Sequence, residues 1–302
     1  MSFAGPPDRD ARPYTVADGS SLGTRELDGI IATPDALRTL FQPIVRVARE
    51  RWTLHALECL SRASDVPPQT DAAHLFAAAR SFGREVALDR ACVAHALDAA
   101  RKWDVRADLF LNLDPRTLDA DASFPDFLVS TAGRAGIAPD RLTIEITEHG
   151  RDGSPDTLAP AVRVAQALGV RVAFDDIGVG SCDQRAILAC RPDVVKLDGQ
   201  ACRAARGSSR IRRELGAIAG LARRSGSIVI AEGIECPDDA AVMADLGIDL
   251  AQGRFYCPPL HAEHAGDAAA VVARRAILAS RQRPTPPPHG SVRPRPLDAL
   301  GA

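Results

Sequence analysis

Leu142-Thr143-Ile144-Glu145-Ile146-Thr147 is the stretch on which the reading of the fold turns. Successive side chains of a strand point to opposite faces. Leu142, Ile144 and Ile146 therefore share a face that packs against helices, and Thr143, Glu145 and Thr147 share the other. A carboxylate flanked by threonines on an inner face marks the mouth of a barrel. Outward from this run the same ending recurs. Glu58 follows His55-Ala56-Leu57, Asn112 follows Leu109-Phe110-Leu111, and Asp175 and Asp176 close Val170-Arg171-Val172-Ala173-Phe174. Lys196 closes Val194-Val195, and Glu232 closes Ile228-Val229-Ile230-Ala231. Alternation puts Phe110, Asn112 and Asp114 on one face. It puts Asp175 with Ala173 and Asp176 with Val172 and Phe174, so one aspartate reaches straight in and the other leans across the rim.

Strand-like runs fall near 41–47, 54–60, 108–113, 141–147, 170–175, 193–197, 227–232 and 249–251. Helical patterns fall at 71–82, 85–101, 124–135, 154–168, 205–224 and 237–246, and Thr33-Pro34 reads as the opening of a further short helix. Strands alternating with helices predict an α/β protein with a parallel sheet, and eight of them predict closure into a TIM-like (β/α)8 barrel. The barrel is expected over residues 30–262. Residues 1–29, rich in Pro, Gly, Asp and Ser, read as a disordered arm; 263–302 reads as an Ala-rich helix followed by a disordered Pro- and Arg-rich tail.

The chain of 302 residues is 46% hydrophobic and 25% charged, ordinary for a soluble globular protein. A net charge of -2 argues against a surface that coats a nucleic-acid polymer. Seven cysteines without a CxxC pair read as free thiols in a reducing cytoplasm. No apolar run approaches the ~18 residues that would predict membrane insertion, and the N-terminus has no signal-sequence pattern.

A lone glutamate at a strand end is commonly a solvated rim residue, and an Asp-Asp pair before glycine is commonly turn chemistry. Recurrence at one end of successive strands is what points to a site. Five carboxylates there (Glu58, Glu145, Asp175, Asp176, Glu232) repel one another unless a cation holds them. Carboxylate and amide oxygens without histidine suit Mg²⁺ or Mn²⁺ rather than Zn²⁺. Lysine usage adds a pointer: of 37 basic residues only Lys102 and Lys196 are lysine. Lys196, between Val195 and Leu197, reads as the one whose compact charge arginine cannot replace.

Eight motifs stand in order: Gln42-Pro43-Ile44-Val45, Glu58-Cys59-Leu60 with Arg62, Asn112-Leu113, Glu145-Ile146-Thr147-Glu148, Asp175-Asp176, Lys196-Leu197-Asp198, Ala231-Glu232-Gly233-Ile234-Glu235 and Gln252-Gly253. Over roughly residues 30–262 the chain resembles the EAL-domain family, the cyclic di-GMP-specific phosphodiesterases of bacteria. The resemblance implies a first strand antiparallel to its neighbours. It implies metal ligation by Glu58, Asn112, Glu145 and Asp175, with Asp176 serving a second metal. Lys196 is implied to orient the attacking water, Glu232 to act as general base, and Gln252 to position water or metal. Gln42, Leu60, Arg62 and Asp198 are implied to contact substrate, and Glu148 to anchor the loop after the paired aspartates. A possible homodimer is implied as well.

Two departures from the family pattern stand out. The signature triplet reads Glu58-Cys59-Leu60, with Cys59 expected to face away from Glu58. After Asp176 the family's DFGTGYSS-like run becomes Ile177-Gly178-Val179-Gly180-Ser181-Cys182-Asp183-Gln184, which keeps both glycines and loses the aromatic and the serine pair. The function implied is Mg²⁺- or Mn²⁺-dependent hydrolysis of cyclic di-GMP to linear pGpG. The alternatives left open are a cyclic di-GMP-binding sensor with weak or no turnover that acts through a protein partner, and an interaction scaffold.

Overall fold

A computed structural model describes residues 14–15, 21–48, 51–64, 72–147, 155–178 and 183–281. Eight strands close a barrel: β1 (Leu37–Ala48), β2 (Arg51–Ala63), β3 (Asp108–Leu113), β4 (Leu142–Thr147), β5 (Arg171–Ile177), β6 (Val194–Leu197), β7 (Ile228–Ala231) and β8 (Leu250–Gln252). β1 runs antiparallel to both β2 and β8, and every other neighbouring pair is parallel. The reason is local. Only residues 49–50 separate β1 from β2, and so short a connection can join antiparallel strands alone. The anticipated barrel and its reversed first strand are both present.

The helices are α1 (Thr24–Ala32), α2 (Ala72–Ser81), α3 (Glu85–Lys102), α4 (Pro115–Ala120), α5 (Phe124–Ala135), α6 (Pro155–Ala167), α7 (Asp183–Cys190), α8 (Gly199–Ala204), α9 (Ser209–Arg224), α10 (Pro237–Asp245) and α11 (Ala268–Arg281). The helix expected to open at Thr33-Pro34 is a single 3-10 turn, Pro34–Ala36, because β1 already starts at Leu37. The run expected at 205–224 is α9, which starts at Ser209 because Ser208 caps it by accepting from Ile211 N at 3.3 Å, and the short α8 precedes it.

Described helices flank the span expected for the barrel at both ends. The arm expected to be disordered to residue 29 contains α1. Its Leu27 and Ile30, three apart on one face, are buried against Leu75 and Ala79 of α2 and Leu88 of α3. At the other end the Ala-rich helix expected after 262 is α11. Ala268, Val272 and Ala276 of α11 recur every four residues and sink into the main core. Of the expected arm, residues 1–13 and 16–20 lie outside the described residues, as does the expected tail at 282–302.

The barrel interior is stacked in layers, as packed barrels require. One layer is Ile44, Ala56, Phe110, Thr143, Ala173, Val194, Ile230 and Leu250, one residue from each strand and nearly all apolar. The next inward-facing position lies two residues further along each parallel strand and two residues back along the reversed β1. Those positions are Gln42, Glu58, Asn112, Glu145, Asp175, Lys196, Glu232 and Gln252. A floor of hydrocarbon thus carries a ring of eight polar groups.

Asp89 of α3 fastens one edge of this mouth. It is fully buried, and its Oδ2 accepts from Asp114 N at 3.0 Å and Thr117 Oγ1 at 2.5 Å, holding the turn from β3 into α4. Burial pushes its carboxyl up to about 8, against the two hydrogen bonds and helped by the charges of Asp114 and Glu85. The native state therefore keeps a proton that the unfolded chain releases near pH 4. This contribution to stability is complete below that pH, falls as pH rises, and is gone above about 8, with a slope of at most roughly 1.4 kcal/mol per pH unit. Urea unfolding from pH 5 to 8 is expected to show a flatter pH dependence in Asp89→Asn than in the parent. Equal slopes would mean that Asp89 is ionised in the folded protein.

Candidate active site

Lys196 stands at the centre of the polar ring, fully buried. Its Nζ lies 2.6 Å from Glu232 Oε1, 2.7 Å from Glu145 Oε1, 3.2 Å from Asp175 Oδ1 and 3.8 Å from Glu58 Oε2. Glu58 is held from two further sides. Asn112 Nδ2 donates to its Oε1 at 2.9 Å, and Gln252 Nε2 donates to its Oε2 at 2.6 Å. Ring members from β2, β3, β4, β5, β6, β7 and β8 thus meet in one network.

Local backbone features aim these groups. Between Phe174 and Ile177 the register of β5 against β6 shifts, and Asp176 takes a left-handed φ of 56°. The bulge cancels strict alternation, so Asp175 and Asp176 offer oxygens to the same site. Oxygens of Asp175, Asp176 and Glu232 lie within 4.8 Å of one another. At Gly253, φ is 157°, and a side chain there would collide with the backbone of Ile234. Glycine thus lets the chain after Gln252 press against the turn that follows Glu232, where Ile234 N donates to Gln252 O at 3.0 Å.

Four acids share one ammonium, and their protons record the imbalance. Burial, then Glu58, then Asp175 and Glu232, push Glu145 well above the usual carboxylate range, with Lys196 opposing. Burial and Asp175 do the same to Glu232. Glu58 goes the other way: burial would raise it, but Lys196, Asn112 and Gln252 hold it below its ordinary value. Lys196 is held well above its own, since the four carboxylates outweigh the cost of burial. A divalent cation would take the place of the retained protons. The donor set fits one: both oxygens of Glu145, Asp175 Oδ1 and Gln252 Oε1 are buried without a hydrogen bond, and every candidate ligand atom is a hard oxygen. The short Glu145–Lys196 approach is an ion pair rather than a directed hydrogen bond.

Two cavities meet at Glu58 and Asp175. The larger, about 430 Å³, is lined by Asn112 and Asp176 at the ring and by Leu60, Arg62, Phe76 and Arg80 beyond it. The smaller, about 250 Å³, is lined by Gln42, Glu232, Gln252 and Gly253. Gln42, Leu60 and Arg62 therefore sit where a ligand over the ring would touch them; Arg62 Nη1 also donates to Ser61 O at 2.8 Å. Cys59 is buried in the outer core, away from Glu58, as alternation required.

Asp198 is the exception among the expected contacts. Its Oδ1 and Oδ2 accept from Gln200 N at 3.1 Å and Ala201 N at 2.9 Å, capping α8, and it lines neither cavity. Helix capping is thus a structural role for Asp198 beside the substrate contact that the resemblance implies. Glu148, and residues 179–182 of the altered loop, lie outside the described residues. Arg80, in the last turn of α2, is a cavity residue that periodicity had no means to single out. Asp114-Pro115, by contrast, carried a readable helix start: Asp114 Oδ1 accepts from Arg116 N at 3.0 Å.

The family model described as EAL domain matches residues 30–259. The uncharacterized EAL-domain containing protein YkuI of Bacillus subtilis is 31% identical over 150 residues, 49% of this chain and 37% of that protein. Cyclic di-GMP phosphodiesterase PdeF of Escherichia coli is 27% identical over 184 residues, 60% of this chain and 24% of PdeF. The chain thus spans well under half the length of these relatives. Among solved structures, the manganese/cyclic di-GMP complex of Klebsiella pneumoniae BlrP1 superposes with a TM-score of 0.67 at 24% identity, covering 75% of this chain and 57% of that one. That likeness concerns the fold.

Proposed function

The chain belongs to the EAL domain family, and on that premise we propose that it hydrolyses cyclic di-GMP to linear pGpG with Mg²⁺ or Mn²⁺. The observation that carries the proposal is the oxygen ring around Lys196, complete on all eight strands and short of positive charge. The naming of PdeF as a cyclic di-GMP phosphodiesterase supports it, as does the manganese and dinucleotide content of the BlrP1 structure.

Glu58, Asn112, Glu145 and Asp175 would hold one cation, and Asp176 with Asp175 and Glu232 a second. Bound there, divalent cations make water more acidic and offset negative charge on phosphoryl oxygens. Lys196 keeps its proton because four acids surround it, so it donates to the water that attacks phosphorus and orients it. Glu232 accepts the proton that water gives up. A water oxygen–phosphorus bond forms, the bond from phosphorus to a ribose 3′ oxygen breaks, that oxygen takes up a proton to become a hydroxyl, and a 5′-phosphorylated linear dinucleotide leaves. Gln252, through its 2.6 Å bond, keeps Glu58 turned into the ring. Leu60 and Arg62 bound the substrate on one side and Gln42 on the other, Arg62 matched to a phosphate oxygen.

Incubation of the purified protein with cyclic di-GMP is expected to yield pGpG with Mn²⁺, less with Mg²⁺, and none with excess chelator. Product formation unaffected by chelator would overturn the metal dependence. A second reading, binding with slow or no turnover, is favoured by one feature: the run after Asp176 departs from the family pattern at 177 and 181–183. Calorimetric binding of cyclic di-GMP without pGpG over hours would select it. Cys59, Cys92, Cys202, Cys236 and Cys257 are free thiols, in keeping with a reducing cytoplasm, and no helix among the described residues is long and apolar enough to cross a membrane. A homodimer, as the family resemblance implies, is testable by light scattering.

A further inference from the structure

We propose that Arg80 is a specificity-determining residue, reading the guanine base of the substrate through the paired acceptors of its major-groove edge. The inference rests on the proposed cyclic di-GMP reading and deepens it. Arg80 lines the same 430 Å³ cavity as Glu58, Asn112 and Asp175. Its side chain is 40% exposed, and among the described residues its guanidinium spends one donor, at 3.3 Å, on Asp114 Oδ2. Asp114 is itself immobilised. Its side chain is 2% exposed, its Oδ1 caps α4 through Arg116 N, and its backbone N–H donates to buried Asp89. Arg80 is therefore anchored by a fixed carboxylate, and its side chain lines the cavity.

The cavity changes character along its length. Near the ring it is walled by carboxylates and bordered by Arg62, which suits a phosphodiester and its cations. Toward Arg80 the wall is Ala73, Phe76 and Pro115, a slot for a flat, mostly apolar body with one polar edge. A purine base is such a body. Guanine presents O6 and N7, two adjacent acceptors, which match two N–H groups of an arginine. Adenine places an N6 donor beside N7, so one of the two N–H groups would oppose another donor. Arg80 thus favours guanine over adenine without touching the reacting phosphate.

The test compares the parent, Arg80→Lys and Arg80→Ala on cyclic di-GMP, cyclic di-AMP and bis(p-nitrophenyl) phosphate with Mn²⁺. The last substrate has no base. Both variants are expected to raise KM for cyclic di-GMP about tenfold or more, with kcat little changed, and to erase the preference over cyclic di-AMP. Hydrolysis of bis(p-nitrophenyl) phosphate should stay at the parent rate. Arg80→Lys keeps a cation for Asp114 and loses only the fork, so it remains informative should the alanine variant fold poorly. An unchanged guanine preference overturns the proposal. Equal losses on both dinucleotides would assign Arg80 to a phosphate and also overturn it, as would a loss on the base-free substrate. A parent that binds and hydrolyses no cyclic di-GMP would overturn the function reading itself, an outcome separable from a working parent whose base preference ignores position 80.

Discussion

Glu58→Ala is expected to abolish Mn²⁺-dependent hydrolysis, with a fall in kcat on the order of 10²–10³-fold or greater, as when a preorganised electrostatic group is lost. Glu58 is the residue on which the network converges: Asn112 and Gln252 both donate to it, and Lys196 lies 3.8 Å away. Removing it takes a ligand from the proposed cation and leaves both amides without their acceptor. The same change lowers the charge excess of the cation-free ring, which offsets part of the cost of the two unpaired amides. Thermal unfolding separates the two effects. Mn²⁺ at a hundredfold excess over its dissociation constant should stabilise the parent by about 2.7 kcal/mol, and the variant should gain far less. Near-parental turnover at saturating Mn²⁺, or an equal thermal shift, would remove Glu58 from the metal site.

Lys196→Arg preserves charge yet should lose activity by about 10²-fold or more. Lys196 is fully buried, and its compact ammonium reaches four carboxylates at once. A guanidinium is broader and planar, and it presents its donors in a fixed fork. In that slot it would displace the acids from one another and occupy space needed by water and cation. Lys196→Met provides the control. Without the ammonium the four acids lose their only protein counter-charge among the described residues, so this variant should unfold at lower temperature than the parent in chelator and regain part of the loss with Mn²⁺. Parental kinetics in the arginine variant would show that Lys196 does not touch the attacking water.

These two positions were open to sequence reasoning for a simple reason. Inward or outward orientation along a strand depends on a two-residue period, which is a property of the backbone and not of its partners. Counting from Ile44, Ala56, Phe110 or Val194 by two residues reaches Gln42, Glu58, Asn112 and Lys196, and the apolar runs themselves located the strands. The excess of acid over base at one end followed from the same count, and with it the need for a cation.

What depended on contacts across the chain was hidden. Alternation has Asp176 leaning across the rim; what brings its carboxylate to those of Asp175 and Glu232 is a register shift against β6 and a left-handed φ. Asp198 fits a family motif, but its carboxylate is spent on the amides of Gln200 and Ala201, a competition only coordinates resolve. Leu27, Ile30 and Val272 look unremarkable in Pro-, Gly- or Ala-rich surroundings until α2, α3 and the barrel wall cover them. Arg80 meets the cavity through a helix packed beside β2, a relation with no periodic trace. Strand alternation and charge thus sufficed to place the ring and its chemistry, while the reach of Asp176, the capping role of Asp198 and the wall beside Arg80 were decided where distant segments meet, since local backbone geometry carries no record of what packs against it.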